Sequence, residues 1–216
     1  MMGLDDVASR IAQACVRSGR DPGEVSLVVV TKGRTVDEIS ELYRLGHRLF
    51  GENRAQELAD KHGRLPRDVE WHFVGPLQTN KVRLVRPVVQ LLHSLDRRSL
   101  AEAWMKGPGK PPPALLQVNV GREPQKHGVD PADVDRMCDE FIALGVPLVG
   151  VMAIPPIPDN PEASRPYFRA LREIRDRLRR VHPQIRELSM GMSDDFEVAV
   201  EEGATIVRVG RAIFEP

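Results

Sequence analysis

Residues 26–46 read SLVVVTKGRTVDEISELYRLG, and this stretch decides the fold. The apolar run Leu27 to Val30, mostly β-branched, has the pattern of a short buried strand. Thr35 then stands as an N-cap candidate, with Glu38 three residues on and Asp37 between them, so a helix opens there and stops near Gly46. Strand, brief turn and amphipathic helix together make one β/α unit. Lys32 lies in the turn, where the strand stops. A lysine at that point is either a solvated rim residue or an amine placed for chemistry.

The same unit recurs along the chain. Further strands are predicted at RLFGEN (48–53), EWHFVG (70–75), VVQLLHSLD (88–96), ALLQVNV (114–120), PLVGVMAI (147–154), ELSM (187–190) and TIVRVG (205–210). Helices are predicted over 54–62, 80–86, 98–105, 131–144, 162–181 and 194–203, with a leading helix over 4–17. KGPGKPPP (106–113) is a loop, because its Pro and Gly residues cannot continue a helix. Eight short apolar strands alternating with helices predict an α/β protein: a single (β/α)8 TIM barrel with an extra N-terminal helix, one domain over residues 1–216. The competing fold is an open doubly wound sheet. That fold would usually carry a Gly-rich first turn if it bound a dinucleotide, and TKGRT is no G-x-G-x-x-G.

Lys plus Arg balances Asp plus Glu at 31 each, so nothing in the net charge draws the chain to nucleic acid or a membrane surface. Its longest apolar run is far short of the ~20 residues that span a bilayer. The first residues, MMGLDDVASRIAQAC, do not read as a secretory signal. Cys15 and Cys138 stand far apart with no C-x-x-C spacing, as expected of two free thiols in a reducing compartment. The expectation is a cytoplasmic monomer that binds neither nucleic acid nor membrane.

Barrel proteins place their chemistry at the C-terminal ends of the strands. Here those ends carry Lys32, Glu52-Asn53, His72 with Gly75, His93-Ser94, Asn119, Met152, Ser189, and Arg208 with Gly210. SMGMSDD (189–195) leaves strand seven and VRVGRAIF (207–214) leaves strand eight. Turns in these two positions form the usual phosphate cradle of the fold, from unpaired N–H groups and a helix N-terminus. Ser189 or Ser193 adds a hydroxyl, while Gly191 and Gly210 admit an anion close to the backbone. On their own these turns read better as a helix capped by Ser193 and glycines that merely turn the chain. Lys32 changes the balance, because strand one of a barrel adjoins strand eight. An amine that partial burial leaves neutral condenses with an aldehyde. A ligand with an aldehyde at one end and a phosphate at the other is pyridoxal 5′-phosphate (PLP). Arg208 would face its pyridine nitrogen and leave it unprotonated, which weakens the electron sink.

With VVVTK, FGENRAQE, WHFVGPLQTNK, HSLD, GVMAIP, LSMGMSDD and GATIVRVGRAIF in this order, the sequence resembles the YggS/PROSC-type PLP homeostasis proteins across nearly its whole length. That resemblance implies a barrel like the N-terminal domain of alanine racemase, with PLP held as a Schiff base on Lys32. It implies Asn53 and Met152 in the cofactor pocket, and Ser189, Met190, Gly191, Ser193, Gly210 and Arg211 in the phosphate-binding segments. Arg208 matches the arginine opposite the pyridine nitrogen, and Lys126 a second lysine near the barrel mouth. Arg211 stands where a small residue is common, and Thr31 where serine is. The family implies a carrier in vitamin B6 homeostasis that serves PLP-dependent apo-enzymes without robust catalysis. Alanine racemase also needs a tyrosine base from a second domain. The two tyrosines here, Tyr43 and Tyr167, fall on helices outside the barrel. The alternatives are a PLP-dependent racemase-like enzyme and a Schiff-base aldolase acting on a sugar phosphate.

Two other patterns carry less. His72, His93 and His127 match no compact metal-ligand spacing, and His72 reads as a core histidine with a satisfied hydrogen bond. RALREIRDRLRR (169–180) interleaves acids with its arginines and reads as a solvated face.

Overall fold

The computed structural model describes residues 3–215 and closes eight parallel strands into a barrel in the order β1 to β8. The strands are β1 Ser26–Val30, β2 Leu49–Glu52, β3 Glu70–Phe73, β4 Leu91–Leu95, β5 Ala114–Gln117, β6 Leu148–Met152, β7 Glu187–Ser189 and β8 Ile206–Val209. Around them run α1 Leu4–Arg17, α2 Val36–Arg44, α3 Ala55–His62, α4 Val82–Val85, α5 Arg98–Met105, α6 Val134–Ala143, α7 Arg165–Val181, α8 Phe196–Glu201 and α9 Arg211–Phe214. The expected barrel is therefore the observed one. Closure is direct, with Val28 of β1 level with Arg208 of β8 and Val29 level with Val209.

Alternation along each strand sorts the core into two layers. Val28, Val74, Leu91, Leu115, Met152 and Ile206 pack together inside the barrel. Val29, Phe50, Trp71 and Leu92 belong instead to the larger core between sheet and helices. α2 begins as its sequence dictates: Thr35 Oγ1 accepts from the Glu38 N–H, and the Glu38 carboxylate accepts from the Thr35 N–H at 2.7 Å. The leading helix α1 packs on α8, with Arg10 paired to Glu197 and Arg17 to Glu201. The arginines of α7 are largely satisfied, since Arg165, Arg169 and Arg172 all meet Glu202.

Two strand boundaries and one short helix show where the structure departs from the sequence-based expectation. Strand four begins at Leu91, because Val88 and Val89 donate back to the Val85 carbonyl and extend the turn after α4. Strand five stops at Gln117: Val118 makes only an isolated bridge to Val129, and the chain turns where Arg122 donates to the Asn119 carbonyl. The short α9 has too few residues to show a period in the sequence. No described helix is long and apolar enough to cross a membrane.

Candidate functional site

The C-terminal ends of β1, β2, β3 and β8 and the turn after β7 surround a cavity of about 340 Å³. Lys32, Asn53, Ser193, Arg208, Gly210 and Arg211 all line it. The amine and the two turns therefore stand on adjoining strand ends of one mouth. Lys32 is exposed, not partly buried as the sequence suggested, because the cavity is open above it. Its ammonium has no hydrogen-bond or ion-pair partner among the described residues. The residues beside it are fixed: Thr31 is fully buried, and Gly33 takes φ +70°, a left-handed conformation that suits glycine.

The two turns converge on a region of free donors. The N–H groups of Ser193, Asp194, Gly210 and Arg211 find no backbone acceptor among the described residues, and Ala212 N–H reaches Ser193 Oγ at 3.3 Å. The β7 turn is locked from behind. Met192 N–H donates to Asp195 Oδ1 at 2.8 Å, and buried Ser164 donates to Asp195 Oδ2 at 2.7 Å. Gly191 sits at φ +91°, where a Cβ would come within 2.5 Å of the Ala199 methyl. Unpaired amides beside a guanidinium make an anion cradle.

Arg208 forms the inner wall. It is 4% exposed, donates to Ser189 Oγ and, at 2.9 Å, to the Ala153 carbonyl. Burial pulls its pKa down to about 10, partly offset by the Asp195 carboxylate, so it stays cationic near neutrality. Beneath it the hydrogen bonds continue. Ser189 Oγ meets His93 Nδ1 at 2.9 Å, and His93 Nε2 meets His72 Nδ1 at 3.0 Å. Burial lowers His72 to about 4; burial, then His72 and Arg208, hold His93 well below its ordinary value. Both rings are thus neutral. Each neutral ring carries one N–H, so along this line one nitrogen of His93 donates and the other accepts. A continuous line of hydrogen bonds, Arg208 to Ser189 to His93 to His72, crosses the barrel interior.

The remaining expected residues fall elsewhere. Ser189 touches the cavity through Arg208. Met152 is fully buried in the inner barrel core below it. Met190 points the other way, into the core between sheet and helices, because alternation sends the residue after inward-facing Ser189 to the opposite face. Gly191 lies behind the turn, so its contribution is to shape it. Lys126 does not line this cavity: its ammonium meets the Glu123 carboxylate at 2.5 Å and the Pro155 carbonyl at 3.1 Å. His72 does satisfy a core hydrogen bond, but its partner, His93, was not evident from spacing. The available signal was two polar residues interrupting neighbouring apolar strands.

The cavity suits a ligand that carries an aldehyde, a ring and a phosphate. Asn53 Oδ1 is a buried acceptor without a partner. Gly75 allows that approach, since a Cβ there would lie 2.4 Å from the Asn53 carbonyl oxygen. A primary amine, a buried cation and free amides supply complementary groups around the same space.

A barrel with these groups at its mouth defines a class. The chain matches the family described as alanine racemase, N-terminal domain, over residues 4–215. It is 46% identical over 217 residues to a pyridoxal phosphate homeostasis protein of Aquifex aeolicus, covering 98% of this chain and 95% of that one. Identity to the protein of the same name in Deinococcus radiodurans is 41% over 218 residues, covering 99% and 100% of the two chains. The structure of PipY from Synechococcus elongatus with PLP bound aligns at a TM-score of 0.81 and 36% identity, covering 96% of this chain and 99% of PipY. Within the alanine racemase N-terminal-domain family, this chain belongs to the pyridoxal phosphate homeostasis proteins.

Proposed function

We propose that this chain binds PLP through Lys32 and acts as a carrier in intracellular PLP homeostasis, a cytoplasmic monomer that delivers the cofactor to PLP-dependent apo-enzymes without robust catalysis of its own. The observation that carries this reading is the single cavity shared by Lys32, Arg208 and the free amides of the β7 and β8 turns. When bound, the cofactor supplies an aldehyde that condenses with a primary amine, forming a C=N bond and releasing one water. Lys32 is the amine within the cavity. Ser193 and the amides of residues 193–194 and 210–211 would hold the phosphate, with the Arg211 guanidinium, which donates to Asp194, beside them. Arg208 would stand toward the ring nitrogen and, having no lone pair, could not stabilise a proton there. Asn53 would offer its unpartnered Oδ1 as an acceptor to the ring's polar edge.

The carrier reading over the racemase is supported by what surrounds Lys32. Racemisation needs a second base on the opposite face of the substrate carbon. Tyr43 lies on α2, where its hydroxyl donates to Asp68 at 2.8 Å, and Tyr167 lies on α7. Neither lines the cavity.

The test is mass spectrometry of the protein after incubation with PLP and reduction with borohydride. Wild type is expected to be yellow and to carry one pyridoxyl group on Lys32, and Lys32→Ala to be colourless and unlabelled. A label confined to Lys126, or a colourless wild type that cleaves a sugar phosphate, would overturn the assignment.

A further inference from the structure

The two peptide units that flank Lys32 are both held by one helix. Lys61 on α3 donates to the Thr31 carbonyl at 2.7 Å, to Glu52 Oε1 at 2.6 Å and to Glu57 Oε2 at 3.3 Å. An ammonium has three protons, so every donor is used. Glu57 Oε2 in turn accepts the Gly33 N–H at 2.9 Å. Glu57 and Lys61 are four residues apart on α3, so one helix face carries both tethers. The Thr31 hydroxyl adds a 2.6 Å bond to Glu52 Oε1. Glu52 is fully buried and Lys61 is 7% exposed, whereas Lys32 between the tethered peptides is exposed.

A buried ion pair alone is a weak stabiliser, because desolvation offsets most of its attraction. Here Lys61 gives one of its bonds to the Thr31 carbonyl, and its other partner, Glu57, accepts the Gly33 N–H. What these bonds do is restrict the backbone of Lys32. With the Thr31 carbonyl and the Gly33 amide both pinned, the direction of the Lys32 Cα–Cβ bond is set, and the four-carbon stem searches only the space over the cavity. Gly33 completes the turn in its left-handed conformation.

We propose that Glu57 and Lys61 are positioning residues that aim Lys32 into the cavity, so that condensation with an aldehyde ligand, rather than docking of the ligand's phosphate, depends on them. This rests on the assignment of Lys32 as the condensing amine. Neither residue touches the cavity of Lys32. They act through the peptide units on either side of it.

Lys61→Met strands the Glu52 carboxylate in the core and is expected to misfold, so the informative variant is Glu57→Ala, whose side chain is 25% exposed. Two ligands separate aiming from general damage. PLP docks and condenses; pyridoxamine 5′-phosphate has the same ring and phosphate but an amine in place of the aldehyde, and docks only. In titrations of the full chain, Glu57→Ala is expected to weaken PLP by about tenfold, the scale on which small misplacement costs an oriented reaction, and to leave pyridoxamine 5′-phosphate within about twofold. Glu57→Gln keeps an oxygen for the Gly33 N–H and is expected to restore PLP binding. Equal weakening of both ligands, or no change in either, would overturn the aiming role and leave Lys32 as the condensing amine. Failure of wild type to label at Lys32 would instead remove the assignment on which it rests.

Discussion

The barrel mouth has a short side and a long side. On the short side one residue, Gly210, separates β8 from α9, and residues 53–54 separate β2 from α3. On the long side, residues 118–133 lie between β5 and α6, and 153–160 follow β6 with Ile157 91% exposed. The strand register slips there as well, at β4/β5 and at β5/β6. Each side carries a lysine near the mouth. Lys126, on the long side, is consumed by Glu123 and the Pro155 carbonyl, while Lys32 faces a cavity with no partner among the described residues. The same side chain becomes a loop clasp in one setting and a free amine in the other. Short turns, pinned from behind, are what make the second possible.

The largest effect is expected from the hydrogen-bond chain that crosses the barrel beneath the mouth. His72 has a folded pKa of about 4, below its ordinary 6.5, so between those values the folded state binds fewer protons than the unfolded one. Its contribution is complete above about pH 6.5 and is lost as the pH falls toward 4, some 3 kcal/mol in all as an order of magnitude. Urea unfolding at pH 7 and pH 4.5 is expected to show this loss, and His72→Gln to reduce the difference by this ring's share while buried His93 keeps its own. An unchanged pH profile in that variant would mean that burial does not hold the His72 ring neutral in the folded protein.

Gly191 offers an intermediate effect on the short side. Alanine there combines a left-handed backbone with a methyl 2.5 Å from Ala199, so Gly191→Ala is expected to cost about 2 kcal/mol in denaturant melts. A neutral result would mean that the β7 turn yields as freely as the long loops do. Lys126→Ala is expected to cost the least, under about 1 kcal/mol for a part-exposed ion pair, and to leave borohydride labelling at Lys32 intact. Loss of that label would erase the contrast between the two lysines.

The architecture was readable because its signals are local and repeated. Each strand is a short apolar run, each helix has a stop, and eight repetitions leave few topologies. Val88 and Val89 misled because β-branched residues look the same in a turn as in a strand. At the site, Lys32, Arg208 and Gly210 were legible as polar or flexible residues at strand ends. Met190 was misplaced for want of applying the two-residue period beyond Ser189. The exposure of Lys32 was not legible, since it depends on how far the cavity opens. The Lys61–Glu52 pair was hidden for a different reason. It joins a strand end to a helix face and to a backbone carbonyl, and no spacing rule records a carbonyl.

One consequence follows from the pairing of β1 with β8. The lysine proposed to condense is made early in synthesis, just after the first strand, while the amides proposed to hold the anion come after the seventh and eighth. A nascent chain therefore carries a lysine without its counterpart until the ring shuts at that seam. On the proposed assignment, a phosphorylated aldehyde is retained only by chains whose last strand has docked against the first, and tight loading would report on finished assembly.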